Sequence, residues 1–343
     1  MGLETRCKIE LVFGLFGVDI KMKKVLLIDV DSHNEFPNLV HMKISAHHKS
    51  LGDQIEIQRG LIHNLKDIFN PPDLIYVSCI FPQNATKTKK FLDRFSCKTI
   101  TGGTGLDLKT TLPDSIEHIM PDYDLYDTKY SMGFTSRGCI RNCPWCVVPE
   151  KEGFIRDNAP ITEFWDPNHK KIILLDNNFL ASPKWRESLE FLIDNELKVN
   201  FNQGLDIRTV TKKNSKLLAK TLSYDWHFKT KSFYFAFDTM NVKRVLLKNL
   251  NLLLESGIPP SKLMFYVLVG FNTTLQQDLE RIKLLDSLGI KPFVMRYNQT
   301  EGENKVLVHL ARWVNRRYYQ FMEFKDYDQG DSKDIIKKAL GGL

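Results

Sequence analysis

The chain has 343 residues, 43% hydrophobic and 26% charged. It has no low-complexity tract, internal repeat or block of five like charges, so it reads as globular, with one or two domains. Lys and Arg outnumber Asp and Glu by 48 to 41, a mildly basic balance that favours anionic partners, nucleic acid among them, without requiring one. Six cysteines are too few and too unevenly placed for a disulfide framework, which points to a reducing, cytoplasmic setting.

Near the start, the apolar stretch Ile9 to Ile20 is broken by Glu10 and Asp19 and is too short to span a bilayer, so no membrane association is expected. Lys21, Lys23 and Lys24 follow where a signal-peptide cleavage site would need small residues. Residues 1–21 therefore read as an extension, poorly ordered or upstream of a natural start at Met22. Residues 22–112 then alternate short apolar runs with helical spacing. Strands are expected at Lys24–Val30, Gln54–Ile57, Leu74–Phe81 and Lys98–Thr101, and a helix at Asn38–Leu51 that stops at Gly52. This alternation implies an α/β, Rossmann-like sandwich around a parallel sheet. The turn Asp31-Ser-His-Asn-Glu-Phe-Pro37 lacks the glycines that bring a pyrophosphate to a helix N-terminus, which argues against a dinucleotide site.

Residues 113–130, with Pro113, Pro121 and clustered Asp and Tyr, read as a linker that still packs through Ile116, Ile119, Met120 and Leu125. A second alternating series fills 131–300. Its strands are expected at Met132–Thr135, Lys171–Leu175, Lys198–Asn202, Ser232–Phe237, Lys262–Val269 and Lys291–Met295. Its helices are expected at Pro183–Asn195, Thr211–Thr221, Asn241–Glu255 and Thr274–Leu288. Six β/α units make a partial barrel, with chemistry expected at the C-terminal strand ends. Residues 301–343 form a helical tail. There, Arg312, Trp313, Arg316, Arg317, Tyr318 and Tyr319 suit either a phosphate-tracking face or an amphipathic helix packing Leu307, Leu310, Val314 and Phe321.

The strongest signal is Phe134-Thr-Ser-Arg-Gly-Cys139-Ile-Arg-Asn-Cys143-Pro-Trp-Cys146, a C-x3-C-x2-C spacing directly after the first strand of the second series. Clustered thiolates select iron–sulfur clusters or zinc. A zinc site would want a fourth ligand at knuckle spacing, and His169 follows no such pattern. An electron carrier would want a fourth cysteine, and none follows Cys146. Three thiolates instead leave one corner of a cubane open to an outside ligand. A non-catalytic iron–sulfur or zinc protein that binds nucleic acid is the reading from another class.

The motif, Trp145 before its third cysteine and the six β/α units resemble the radical S-adenosylmethionine (SAM) superfamily over about residues 131–298. The resemblance implies an enzyme in which Cys139, Cys143 and Cys146 hold a 4Fe–4S cluster. Its open iron would chelate SAM, and one electron would split SAM to a 5′-deoxyadenosyl radical that modifies a substrate. It also implies a reducing donor of flavodoxin or ferredoxin type. Carried over by position, Trp145 would lie near adenine, and Asp176-Asn177-Asn178-Phe179 would take the place of the Gly-Gly-Glu element that binds the SAM amino group. An Asp-Asp-Asn-Phe form of that element occurs in the branch carrying a cobalamin-binding-type domain, whose layout the whole chain resembles. The same four residues also suit a turn before the helix opened by Ser182-Pro183. Gln203, Asp206 and Arg208 would contact SAM or substrate, or Asp206 and Arg208 would shape a turn. Asp238 would reach the ribose, and Gly270 with Asn272 would lie against adenine.

Cobalamin, and with it a cobalamin-dependent methyltransferase, is the alternative within the enzyme class. Asp31-Ser-His33 is similar to the start of the cobalt-ligating signature, but Phe36 stands at its glycine. The loop Thr101-Gly-Gly-Thr-Gly105 is the remaining argument for a bound nucleotide tail or phosphate.

Overall fold

The computed structural model describes residues 22–31, 36–64, 69–297 and 304–341. The expectations for residues 1–21, His33 and Asn298 fall outside these. Among the described residues no helix is long and apolar enough to cross a membrane. The chain divides after Leu125 into two compact α/β units.

The first unit runs β1 (Lys24–Asp29), α1 (Leu39–Ser50), β2 (Gln54–Arg59), β3 (Leu74–Ser78), α2 (Ala85–Leu92), β4 (Lys98–Gly102) and α3 (Asp114–Glu117). The strands form one parallel sheet in the order β2-β1-β3-β4. Central β1, Lys-Val-Leu-Leu-Ile-Asp, is buried along its whole length because both faces of the sheet are covered. Leu26, Ile28 and Val30 pack with Ile75, Val77 and Phe91 on one face, and Val25 and Leu27 with Ile44 and Ile116 on the other. Ile116 thus places α3 in this core, and a Lys43–Glu117 ion pair at 3.2 Å fastens it to α1. Asn38 starts α1 by accepting from Val40 N and His41 N, and its amide donates to Ser78 Oγ at 2.8 Å.

The glycine-rich loop after β4 is shaped by the chain's own backbone. A Cβ on Gly103, which has φ +96°, would stand 2.3 Å from Cys79 O, and one on Gly105 would stand 2.7 Å from Phe81 C. Beside it, the Asp31 carboxylate accepts from the backbone N–H of Ile80 and Phe81 and from the Asn84 amide. Both Asp31 oxygens are thus satisfied within the chain.

The second unit opens with β5 (Ser131–Gly133), β6 (Ser136–Arg137), α4 (Val148–Lys151), β7 (Arg156–Asp157) and α5 (Ile161–Phe164). It continues with β8 (Lys171–Leu174), α6 (Trp185–Asp194), β9 (Lys198–Phe201), α7 (Lys212–Leu218) and β10 (Leu222–Ser223). Then come β11 (Phe233–Ala236), α8 (Lys243–Glu255), β12 (Leu263–Val269), α9 (Leu275–Ser287), β13 (Lys291–Arg296), α10 (Lys305–Asn315) and α11 (Ser332–Leu340). The parallel strands form sheets β10-β9-β8-β5 and β11-β12-β13. Single bridges join them, Leu205 to Phe235 and Tyr224 to Lys231. The antiparallel β6–β7 pair and two-residue β10 had no periodic signal long enough to read from sequence. Capping boxes at Thr211/Asn214 and Thr274/Gln277 start α7 and α9.

The tail closes the edge of this wall. Asn315 mimics a strand partner, accepting from Val294 N at 2.8 Å and donating to Val294 O at 3.0 Å. Leu310 and Val314 pack inward as their spacing predicts, and Trp313 joins them with its indole N–H donating to Met322 O. Phe321, expected on the same packed face, is instead 81% exposed, because the helix ends at Asn315 and Arg317 turns the chain through φ +64°. Trp313→Ala should therefore cost about 3–5 kcal/mol of unfolding free energy. Phe321→Ala should change it by less than about 0.5 kcal/mol. Chemical denaturation of both variants checks the contrast.

Candidate functional site

The cysteine loop lies between β6 and β7 and is held from below by the residues that end β8. Asp176 is buried and accepts four hydrogen bonds: Thr135 N at 3.1 Å, Thr135 Oγ1 at 2.6 Å, Ser136 N at 2.6 Å and Ser136 Oγ at 2.7 Å. Burial pushes its carboxyl above the usual range, while these donors pull the other way. Asn177 Oδ1 takes the next donor, Gly138 N, at 3.0 Å. Asn178 Nδ2 donates to Cys139 Sγ at 3.3 Å. Three consecutive side chains thus fix successive points from Thr135 to Cys139. Two glycines permit the fit: a Cβ on Gly133 would stand 2.4 Å from the Phe164 ring, and one on Gly138, at φ +82°, would stand 2.4 Å from Phe154 O.

Cys139, Cys143 and Cys146 are free thiols, the first two partly buried and the third exposed. Arg141 N donates to Cys139 Sγ at 3.3 Å, and Cys146 N to Cys143 O at 3.0 Å. Burial raises the Cys143 thiol; the charge and hydrogen bond of Arg208 oppose this, and Cys146 and Cys139 add to it. Burial likewise raises Cys146, with Cys139 and Asp238 contributing. The three sulfurs are therefore near enough to sense one another. Among the described residues, no group of three or more His, Cys, Asp or Glu side chains stands ready to hold a metal ion.

Residues from later strand ends converge on this loop. Asp206 accepts from Arg208 N and Nε, at 3.0 and 2.7 Å, and from Arg141 Nε at 3.0 Å. Burial works to raise its carboxyl, but the two guanidinium groups hold it below the usual range. Asp238 accepts from Leu268 N at 3.1 Å, and burial keeps its carboxyl above the usual range despite nearby Arg281. Arg281 is wholly buried and bridges Phe237 O and Leu268 O, both at 2.8 Å, where β11 and β12 diverge; Asp278 balances its charge. Trp145 meets Phe271 edge-on at 5.6 Å, and Phe271 meets Tyr297 at 4.8 Å. These rings bring Trp145 to the Gly270–Asn272 turn, in which both end residues have positive φ.

The sequence-derived residues thus divide by role. Cys139, Cys143, Cys146, Asn178, Asp206, Arg208 and Asp238 share one neighbourhood, with Trp145 joined to Gly270 and Asn272 through Phe271. Asp176 and Asn177 are occupied in holding the loop. Gln203 is exposed, with no hydrogen bond from its side chain among the described residues. Arg141, Phe271 and Arg281 were missed. Arg141 sits inside the cysteine motif, but its partner Asp206 lies 65 residues away and nothing local announces it.

The donor types, though not a closed ligand set, are those that a cluster held by three thiolates would take. Cys139 Sγ receives two N–H groups and Cys143 a guanidinium, donors that would offset thiolate charge. Beside them, Asn178 Oδ1 is a buried acceptor without a partner, suited to an ammonium donor on a ligand.

Asp206→Asn removes the charge on which two guanidinium groups converge, so stability at neutral pH should fall by about 1–3 kcal/mol. Because the folded carboxyl sits below its unfolded value, this contribution is present above the unfolded pKa of about 3.9 and is lost as pH falls through the folded one. Thermal melts across that range should show native and variant curves converging in acid.

No family model and no curated protein matches the sequence. Among solved structures, the chain is similar to the radical S-adenosylmethionine methyltransferase TsrM from Kitasatospora setae, with tryptophan substrate and the SAM analogue aza-SAM bound. The TM-score is 0.56 at 12% identity, over 80% of this chain and 72% of that one. At that identity the likeness is one of fold.

Proposed function

We propose that the protein is a radical SAM enzyme whose second unit is a partial β/α barrel. The observation that carries this reading is the C-x3-C-x2-C loop of three free thiols at the end of the first strand, in a fold shared with a radical SAM methyltransferase. When bound, a 4Fe–4S cluster on Cys139, Cys143 and Cys146 would supply the electron that cleaves the sulfonium bond of SAM, an external reductant restoring it.

The chain's own residues position and shield. Asp176, Asn177 and Asn178 hold the loop against β8, so that its sulfurs are presented at the strand ends. Arg208, anchored by Asp206, places positive charge beside Cys143 and offsets the charge of a thiolate there. Asn178 Oδ1 offers its free acceptor to an amino group. Asp238, kept largely away from water, offers a carboxyl to a ribose hydroxyl. The Trp145–Phe271–Tyr297 ring cluster covers one side with apolar surface that excludes water. Gly103 and Gly105 pack against the backbone of Cys79 and Phe81.

Anaerobic reconstitution should give a brown protein with about four irons per chain. Adding SAM and dithionite should release 5′-deoxyadenosine, measured by mass spectrometry, and Cys143→Ala should lower that release at least about 100-fold with little change in thermal midpoint. A colourless protein carrying a single zinc, or undiminished release from Cys143→Ala, would overturn the reading.

A further inference from the structure

Every parallel strand of the second unit has a lysine at its first residue or within two residues before it. Lys171, Lys198 and Lys291 are the first residues of β8, β9 and β13, and Lys262 directly precedes β12. Lys129, Lys220 and Lys231 stand two residues before β5, β10 and β11. Parallel strands gather these side chains at one end of the sheets, opposite the end that carries the cysteine loop. Lys171 and Lys198 are direct register partners, which sets like charges side by side on adjacent strands, an arrangement that costs stability. Among the described residues, Lys170, Lys171, Lys198, Lys220, Lys229, Lys231, Lys262 and Lys291 make no ion pair. The negative ends of α6, α8 and α9 reach the same end and account for some of this charge. Helix ends do not account for what lies among the lysines.

Between β10 and β11 the chain forms a tied loop from Tyr224 to Lys231, closed by a bridge between those two residues. Asp225 organises it, its carboxylate accepting from Lys229 N at 2.9 Å and Thr230 N at 3.1 Å, and its carbonyl from Phe228 N at 2.8 Å. Phe228 is buried with φ +58°, a left-handed conformation that bulky residues seldom adopt. Its ring lies 5.6 Å from the Lys171 ammonium, and the Tyr224 ring 5.0 Å from that of Lys198. The turn leaves Trp226 and His227 at the surface, their ring centroids 3.7 Å apart and their planes tilted by 36°. Asp194 and Glu196, just before β9, are the acidic side chains of this stretch that the loop does not use.

We propose that this face binds single-stranded nucleic acid, with a base stacked on the Trp226–His227 pair and phosphates on Lys171, Lys198, Lys220, Lys229 and Lys231. Unpaired lysines attract a phosphate chain without reading sequence, and a preformed aromatic platform adds stacking. An acidic protein surface would meet the charge but would leave the two exposed rings without a matching partner, which is why nucleic acid is favoured. The inference stands on this face alone and is independent of the chemistry at the cysteine loop.

The test is fluorescence anisotropy of a labelled, mixed-sequence RNA of about 12 nucleotides, titrated with the full chain at several salt concentrations. Lys198→Gln/Lys229→Gln/Lys231→Gln should weaken binding at least about tenfold and reduce the log–log salt slope by about 2, at about 0.7 per lost phosphate contact. Trp226→Ala should weaken it about tenfold with the slope unchanged, and Trp226→Phe should restore most of the loss. The corresponding triple Lys→Arg variant, which keeps the charge, should bind as the native chain does and so separates charge loss from misfolding. Lys212→Gln/Lys213→Gln/Lys216→Gln removes equal charge from exposed α7 positions and should leave affinity within about twofold, as expected when distant phosphate contacts are untouched. Absence of binding by the native chain, or equal weakening by the two triple Gln variants, would overturn the proposal. Competition by polyglutamate as effective as that by RNA would overturn it in favour of an acidic protein.

Discussion

The chemistry proposed for this protein rests on how Asp176, Asn177 and Asn178 grip the start of the cysteine loop. A loop this rich in polar backbone needs partners for its N–H groups wherever it is buried. Here three successive side chains from the end of β8 supply them, ending on the sulfur of Cys139. The arrangement works only because Gly133 and Gly138 bring the backbone closer than any Cβ would allow. Loop position, strand end and the Cys139 sulfur are therefore one mechanical unit.

Charge is organised by strand direction. At the C-terminal strand ends, buried carboxylates and guanidinium groups are matched: Asp206 with Arg208 and Arg141, Asp278 with Arg281. Leaving either partner of the buried Asp278–Arg281 pair alone would strand a charge in a dry interior, so these pairs lock the crevice shape where β11 and β12 separate. Near the N-terminal strand ends, Lys220, Lys229 and Lys231 are exposed and make no ion pair among the described residues. The proposed chemistry and the proposed recognition would thus occupy opposite ends of the parallel strands.

Much of this was legible in the sequence. The apolar runs marked β5, β8, β9, β11, β12 and β13 because strands buried on both faces need continuous hydrophobic residues. Thr211 and Thr274 marked helix starts because a hydroxyl must cap the first N–H groups. The cysteine spacing marked the thiol loop because three thiols so near one another in the chain share one short loop. Short β6, β7 and β10 left no period to detect. Phe321 was misread because helical spacing extrapolates beyond the point at which the helix ends.

By itself, then, the sequence determined the α/β class, the position of the thiols and the choice of three cysteines without a fourth downstream. These are local properties, set by periodicity and spacing along the chain. Only the tertiary structure decided that Asp176 is spent on the loop, that Arg141 and Arg208 share Asp206, that Gly103 and Gly105 serve backbone packing, and that lysines at or just before seven strand starts gather at one end of the sheets. Each of these depends on which distant segments the sheet brings side by side, and pairing between strands leaves no mark within either strand alone.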